Sequence, residues 1–305
     1  MNKKIIVFGS KGLVGTSVTK IFSEAGYDIF ASSRKDTDLF KIDQVKNLIE
    51  EFKPNLIINA AAKVGGIYAN DTLRTEFLIE NLKINTNILE SCIPNTNIEI
   101  INLGSSCIYP LNAKNPIVES SIMSGVLEPT NSPYAMAKLT AIELGRSLNI
   151  QYGHKVTNLM PTNLYGPHDN FDEINSHVIP GLISRMHKSK LNRDKEFAIW
   201  GTGKPLREFL FVDDLAHAIK FIVENEIETD LINVGSNEEV SILELAKEIK
   251  SVVGFEGELI FDSTKPDGNP RKLLDSTLLN SKGWNAKTNL SDGLEITYNW
   301  YKENI

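Results

Sequence analysis

Two clusters of side chains in this 305-residue chain have types and spacing that could do chemistry on a carbonyl group. The first is LGSSCIYP at 103–110, where Ser105, Ser106 and Cys107 set two hydroxyls and a thiol at the end of an apolar run. Hydroxyls there could donate hydrogen bonds to a carbonyl oxygen, and a thiol could exchange a proton near neutral pH. The second is Tyr134 with Lys138, which at i and i+4 project from one face of a helix. A cation beside a phenol favours the phenolate and so tunes it for proton transfer.

Neither cluster is sufficient alone. A serine cluster at a strand end is also ordinary turn chemistry. Tyr298 and Lys302 repeat the same spacing in a C-terminal helix that no serine strand precedes. The first pair differs in its context: strand-end serines come before it, and a wound sheet would set its helix beside that strand.

The elements that must position these groups follow in chain order. Residues 4–8 form an apolar strand, Gly9, Gly12 and Gly15 a glycine turn, and residues 16–25 a helical period. Strand, glycine turn and helix in that order fit a dinucleotide fingerprint, in which backbone approaches pyrophosphate at a helix N-terminus. The second strand, 27–32, ends in Ser33-Arg34-Lys35 where an NAD site usually carries a carboxylate. With Lys11 in the glycine turn, the basic end predicts NADP rather than NAD.

Residues 38–52 have helical spacing, and LIINAAA at 56–62 reads as a third buried strand ending in small residues. Those small residues suit either close approach to a cofactor or tight helix packing. Residues 63–70 read as a loop over the cleft, 75–92 as a long helix and 98–103 as the strand before the serines. After a polar loop at 112–130, Ser132 is the expected N-cap and Pro133 the first residue of a helix running to about 151. A strand at 155–159 and a turn-rich loop at 160–170 follow. Repeated βα units imply a parallel sheet.

Beyond that point the pattern changes. Helices are expected at 174–188, 214–224 and 242–253, strands at 196–200, 207–212, 231–234 and 259–262, a turn at 201–203, and a helix at the C-terminal end. Arg185, Trp200, Arg207 and the loop KPDGNPRK at 265–272 bring arginines and an aromatic that suit a nucleotide base and a diphosphate. No linker or repeat separates the parts. The expected fold is α/β, a Rossmann doubly wound parallel sheet with a smaller mixed α/β C-terminal substrate lobe. The expected division is 1–162 and 209–236 for the nucleotide-binding domain, and 163–208 and 237–305 for the lobe.

Bulk composition narrows the function classes. At 41% hydrophobic and 23% charged the chain has enough apolar material for a core. Acidic residues outnumber basic ones by 39 to 32 with no basic block, so nucleic acid is not an expected partner. Cys92 and Cys107 are too few for a disulfide framework and fit no metal-ligand spacing, so no metal is expected and a reducing cytoplasm is. The N-terminal apolar run stops at Phe8, and no stretch approaches the ~18 apolar residues of a membrane span, so neither export nor a membrane is expected.

At this point an ordered series of motifs says more than spacing: AAKVGGIYAN (61–70), LGSSCIYP, LEPTNSPYAMAK (127–138), MPTNLYGPHDNF (160–171), NSHVIP (175–180), PLREFLFVDD (205–214) and KPDGNPRKLLD (265–275). Through these the chain resembles the extended short-chain dehydrogenase/reductase superfamily, and within it is similar to the GDP-L-fucose synthase family over nearly its whole length. The resemblance implies 3,5-epimerisation and 4-reduction of GDP-4-keto-6-deoxymannose with NADPH. It also implies a homodimer joined through the helices at 75–92 and 132–151.

By position, Ser105, Tyr134 and Lys138 match the family's reductase triad, and Cys107 and His177 its epimerisation acid/base pair. Spacing alone does not separate His177 from His168; the match to NSHVIP does. Asn163, Arg185, Trp200, Arg207 and Lys272, with Ser106 and Cys107, fall in or near its sugar-nucleotide site. Cofactor contacts are expected first from Gly9, Lys11, Gly12, Leu13, Val14 and Gly15. Arg34, Asp38 and Leu39 follow the second strand, and Ala60, Ala61 and Ala62 end the third. Pro161, Asn163, Leu164 and His177, with Tyr134 and Lys138, complete the set. A dehydratase would want an acidic pair where Ser106 and Cys107 stand. Two alternatives remain: a C4 reductase of another GDP-4-keto sugar such as a heptose, and a nucleotide-sensing regulator that binds NADP without turnover.

Overall fold

The structure, a computed structural model, describes residues 3–173, 175–264 and 267–305. Met1 and Asn2 at the basic start, Ile174 at the start of one expected helix, and Lys265 and Pro266 of the expected polar loop lie outside the described residues.

The first half alternates strand and helix. In order these are β1 (Lys4–Phe8), α1 (Leu13–Glu24), β2 (Asp28–Ser32), α2 (Ile42–Phe52), β3 (Leu56–Asn59), α3 (Ile67–Thr72), α4 (Arg74–Cys92), β4 (Glu99–Leu103), α5 (Ser132–Tyr152) and β5 (Val156–Pro161). The second half adds β6 (Asn163–Tyr165), α6 (Val178–Asn192), β7 (Glu196–Trp200), β8 (Leu206–Phe211), α7 (Val212–Glu224) and β9 (Leu231–Val234). Then come β10 (Glu239–Ser241), α8 (Ile242–Val253), β11 (Glu258–Asp262), β12 (Arg271–Lys272), α9 (Thr277–Ser281) and α10 (Leu290–Asn304).

Six parallel strands form the main sheet in the order β2-β1-β3-β4-β5-β9. Side chains of a strand alternate between faces, so these apolar runs serve two cores at once. Ile5 and Val7 of β1 face α1 and α7, packing with Phe22, Leu215 and Ile219. Ile6 and Phe8 face α2, α4 and α5, packing with Ile49, Ile88 and Leu148. The chain runs outward from β1 to β2 and returns to β3 on the other side of β1. The crevice at that reversal, beyond the carboxyl ends of β1 and β3, is where doubly wound sheets bind nucleotides.

A buried polar row crosses the centre of the sheet. Asn59, Asn102 and Asn158 sit opposite one another in the register of β3, β4 and β5. The Asn59 amide donates to Asn102 at 2.9 Å and to Asn85 of α4 at 3.0 Å, and Asn102 donates to Asn158 at 3.0 Å. Asn158 in turn donates to the Asp230 carbonyl at 2.9 Å. Because each member finds its partner only in this alignment, the row opposes any slip of register.

The second lobe is built on β8, which pairs with β6, β10 and β12, while β7 and β11 form a separate parallel pair. Helices α6, α8 and α10 pack on these strands around Phe197, Phe209, Leu245 and Leu294. Buried Glu208 of β8 ties the lobe together, accepting from the backbone of Asn237 at 2.8 Å and of Leu274 at 3.1 Å. This holds β8 and the segment after β12 in place, and with them Arg207 and Lys272.

Several expected boundaries move. Residues 38–41 form a turn before α2 rather than its first turn; Lys41 donates its amide to Asp38. The loop expected at 63–70 contains the start of α3, and the loop at 160–170 contains β6. The helix expected from residue 174 begins only at Val178, with His177 at its N-cap. The N-cap of α5 is Asn131 rather than Ser132, because Asn131 supplies the first helical carbonyl, accepting from the Ala135 amide at 3.0 Å. No helix among the described residues is long and apolar enough to cross a membrane.

Candidate active site

One cleft of about 720 Å³ opens along the carboxyl ends of the strands and continues between the sheet and the second lobe. Gly9, at φ +78, begins its floor. A Cβ there would sit 2.7 Å from the Ala61 nitrogen and 2.8 Å from the Ala60 carbonyl, so only glycine lets β1 and β3 meet so closely. Gly15 is equally confined, with its Cα facing the Gly9 carbonyl, and supports the turn from behind rather than lining the cleft. Gly12 caps α1 without a side-chain hydrogen bond, and no acidic residue lies in the first turn. The open amides there, beside Leu13 and Val14 on the cleft wall, form an anion-binding end.

Lys11, Arg34, Asp38 and Leu39 line the outer edge, and Ala60, Ala61 and Ala62 the inner wall. Asp36, the nearest carboxylate after β2, accepts from the Ser33 amide at 2.8 Å and from its hydroxyl at 2.6 Å. Those hydrogen bonds, together with the charge on Lys11, hold its carboxyl below the usual range. Asp36 is thus engaged in its own turn, and Asp38 accepts from the Phe40 amide at 3.1 Å and pairs with Lys41 at 3.7 Å, which leaves Lys11 and Arg34 to match a 2′-phosphate.

Deeper in, Ser105 follows β4 by two residues and caps a short 3-10 turn at Ser106–Ile108, its hydroxyl accepting from the Cys107 amide at 3.2 Å. The turn reverses the chain so that Ser105, Ser106 and Cys107 all line the cleft. Across them stands Tyr134 from α5, hydrogen-bonded to Ser105 and packed edge-on against Phe77 with ring centroids 6.3 Å apart. Burial pushes the Tyr134 hydroxyl above the usual tyrosine range; an ionised Cys107 adds to this, and the Ser105 hydrogen bond opposes it.

Lys138 is 2% exposed and lies behind the cleft wall, where its ammonium donates to the Leu103 carbonyl at 2.6 Å. Burial lowers its pKa to about 8. The expected depression of Tyr134 by this lysine is therefore corrected for the protein alone. The Lys138 nitrogen is 5.8 Å from the ring centroid and already engaged by a carbonyl, so desolvation dominates the phenol.

His177 enters from the second lobe. Burial lowers its pKa, and a hydrogen bond to the Gly65 backbone works the other way, as a carbonyl accepting from the ring would. The Gly66 amide donates to the Asn175 carbonyl at 2.8 Å, so the loop after β3 and the segment before α6 clasp each other over the cleft. Pro161, Asn163 and Leu164 line it from the end of β5 onward, and Arg207 and Lys272 from paired strands β8 and β12. Asn163 spends its amide on the Glu208 carbonyl at 2.8 Å.

Arg185 and Trp200 lie apart from this lining. Arg185 stacks on Trp200 with its guanidinium carbon 4.7 Å from the ring centroid, and donates to the Ala198 carbonyl at 3.4 Å. Asp169 and Asn131 are among the cleft residues that reading the sequence missed. Asp169 has burial raising its carboxyl to about 7, and one of its oxygens is enclosed without a partner. Asn131 donates from its amide to the Cys107 sulfur at 3.4 Å. Among the described residues, no group of three or more His, Cys, Asp or Glu side chains could hold a metal ion.

A dinucleotide cradle, a tyrosine paired with a serine, and a buried lysine define a nucleotide-dependent enzyme of the short-chain dehydrogenase/reductase type. The chain belongs to the NAD dependent epimerase/dehydratase family, whose model matches residues 5–235. It is 47% identical over 303 residues to GDP-L-fucose synthase 1 of Arabidopsis thaliana, covering 99% of this chain and 94% of that one. Among solved structures it resembles a GDP-6-OMe-4-keto-L-xylo-heptose reductase from C. jejuni, with a TM-score of 0.93 at 32% identity over 100% of this chain and 99% of that one. A GDP-L-fucose synthetase from Naegleria fowleri bound to NADP matches with a TM-score of 0.89 at 30% identity, over 100% of this chain and 95% of that one.

Proposed function

We propose that the protein converts GDP-4-keto-6-deoxymannose to GDP-L-fucose, inverting C3 and C5 and reducing C4 with NADPH. The observation that carries this is the convergence of Ser105, Cys107, Tyr134 and His177 on one cleft whose floor is the glycine cradle. The residues present fit the cofactor: a glycine at φ +78 with no room for a Cβ, an open helix N-terminus, and Lys11 and Arg34 at the edge. NADPH bound there supplies the hydride for C4. In this division, residues 1–162 and 209–236 hold the dinucleotide and residues 163–208 and 237–305 the sugar nucleotide.

A 4-keto group acidifies the protons on C3 and C5, because removing either leaves an enolate with its charge on the C4 oxygen. Ser105 and Tyr134 donate hydrogen bonds to that oxygen, so one oxyanion site serves both epimerisation and reduction. Cys107 takes a proton from one face, and His177 returns one to the other, inverting the centre. Tyr134 finally protonates the C4 oxygen; its raised pKa keeps the phenol protonated until that step. Arg207 and Lys272, and Arg185 with Trp200 beyond them, serve the GDP moiety.

A second reading, C4 reduction of a GDP-4-keto-heptose, draws on the likeness in fold to the C. jejuni heptose reductase. The test offers both keto sugars with NADPH and reads product stereochemistry by NMR. Turnover of the hexose with inversion at C3 and C5 supports the first reading; turnover of the heptose alone replaces it. Steady NADPH oxidation with either sugar excludes a sensor without turnover. The half-exposed apolar side chains Ile79 of α4 and Met136 of α5 suit a homodimer joined through these helices, and the free thiols suit the cytoplasm.

A further inference from the structure

Asn131 is an asparagine at a helix N-cap whose side chain does not cap the helix. Asn is favoured at that position because its oxygen usually satisfies an orphan amide of the first turn. Here the side chain turns away, and its Nδ2 donates to the Cys107 sulfur at 3.4 Å. Its Oδ1 is buried without a partner, and the residue lines the cleft. The backbone around it is fixed: the Thr130 and Asn131 amides donate to the Glu128 carboxylate at 3.1 and 3.2 Å, and Arg74 donates to the Pro129 carbonyl at 2.9 Å. A buried amide oxygen without a partner costs free energy unless something else supplies a donor.

We propose that Asn131 is a positioning residue for the epimerisation base, its Nδ2 holding the Cys107 thiolate and its Oδ1 accepting from a hydroxyl of the bound sugar. The inference rests on the assignment of Cys107 as base. An N–H donor stabilises a thiolate over a thiol, because only the anion is a strong acceptor at sulfur. The same amide then reads the substrate. Of the two carbons to be inverted, C3 carries a hydroxyl and C5 does not, so Oδ1 sets the sugar with C3 against the sulfur.

The first readout needs no substrate. Cys107 is partly exposed and Cys92 is buried, so the pH dependence of alkylation at Cys107, followed by peptide mass spectrometry, reports its thiolate. Tyr134, Glu128, Asp169, His177, Arg207 and Lys272 line the same cleft and stay unchanged in both variants. In Asn131→Ala the alkylation midpoint should rise by about one pH unit, as expected for losing one hydrogen bond to a charged group. In Asn131→Asp it should rise further, since a carboxylate then faces the sulfur.

The Asp variant separates positioning from folding, because Asp keeps the size and shape of Asn and removes only the N–H donor to the sulfur. With the keto sugar, deuterium exchange at C3 in Asn131→Ala should fall more than exchange at C5. An unchanged midpoint in both variants overturns the proposal, and so does a midpoint that Asp restores to the wild-type value. If the midpoint shifts while the wild type exchanges neither proton, the failure lies in the proposed epimerase reaction and not in the contact between Asn131 and Cys107.

Discussion

The ammonium of Lys138 donates to the carbonyl of Leu103 at 2.6 Å, joining the helix that carries Tyr134 to the strand that delivers Ser105. The contact fixes the distance between the two halves of the oxyanion site, at the cost of burying a charge. Lys138 has a pKa of about 8 in the fold against 10.5 for the free side chain. Between those values the unfolded chain binds more protons, so stability is fully present above 10.5 and is lost as pH falls through 8. The wild type should gain on the order of 3 kcal/mol across that window relative to Lys138→Met. Urea unfolding at both ends of the window for the two proteins checks this.

Asn102 sits between two other asparagines in the sheet, so its removal leaves both neighbours short of a buried partner. Asn102→Ala should cost about 3 kcal/mol in chemical denaturation, while replacing an exposed residue of the same sheet should cost little.

Arg34 lies at the cleft edge where a 2′-phosphate would rest, with Asp36 engaged by Ser33. Arg34→Ala should lower kcat/KM for NADPH by about tenfold or more and leave the value for NADH nearly unchanged. Steady-state kinetics with both cofactors reads the difference directly.

Tyr134 is assigned the proton that ends reduction, and its hydroxyl touches Ser105. Tyr134→Phe should slow NADPH oxidation by about a thousandfold while the protein keeps its NADPH affinity. Equal losses of binding and rate would assign the residue a structural role.

Much of the frame was legible because it is local. Residues 5–8 and 56–58 announce themselves as strands by uninterrupted apolar runs, and the glycine turn needs only nearest neighbours to be recognised. What stayed hidden depends on partners far along the chain. At three residues β6 is too short to show a period, and it exists because β8 pairs with it. His177 reads as part of a helix until its place at the N-cap frees the ring toward Gly65. Ser132 with Pro133 looks like a helix start, but the first carbonyl accepted belongs to Asn131, whose side chain answers to a cysteine brought in by a different turn. The pKa of Tyr134 was misjudged because spacing gives the lysine's position on the helix but not its engagement with Leu103 or the depth of burial.

The central claim is that a single oxyanion site serves epimerisation by Cys107 and reduction through Tyr134. It is tested most directly by turning over GDP-4-keto-6-deoxymannose with NADPH in D2O and locating deuterium in the product by NMR. The wild type should give GDP-L-fucose labelled at C3 and C5, whereas Cys107→Ser should lose that labelling by about a hundredfold and still oxidise NADPH. An unlabelled product from the wild type, or undiminished labelling by Cys107→Ser, would contradict it.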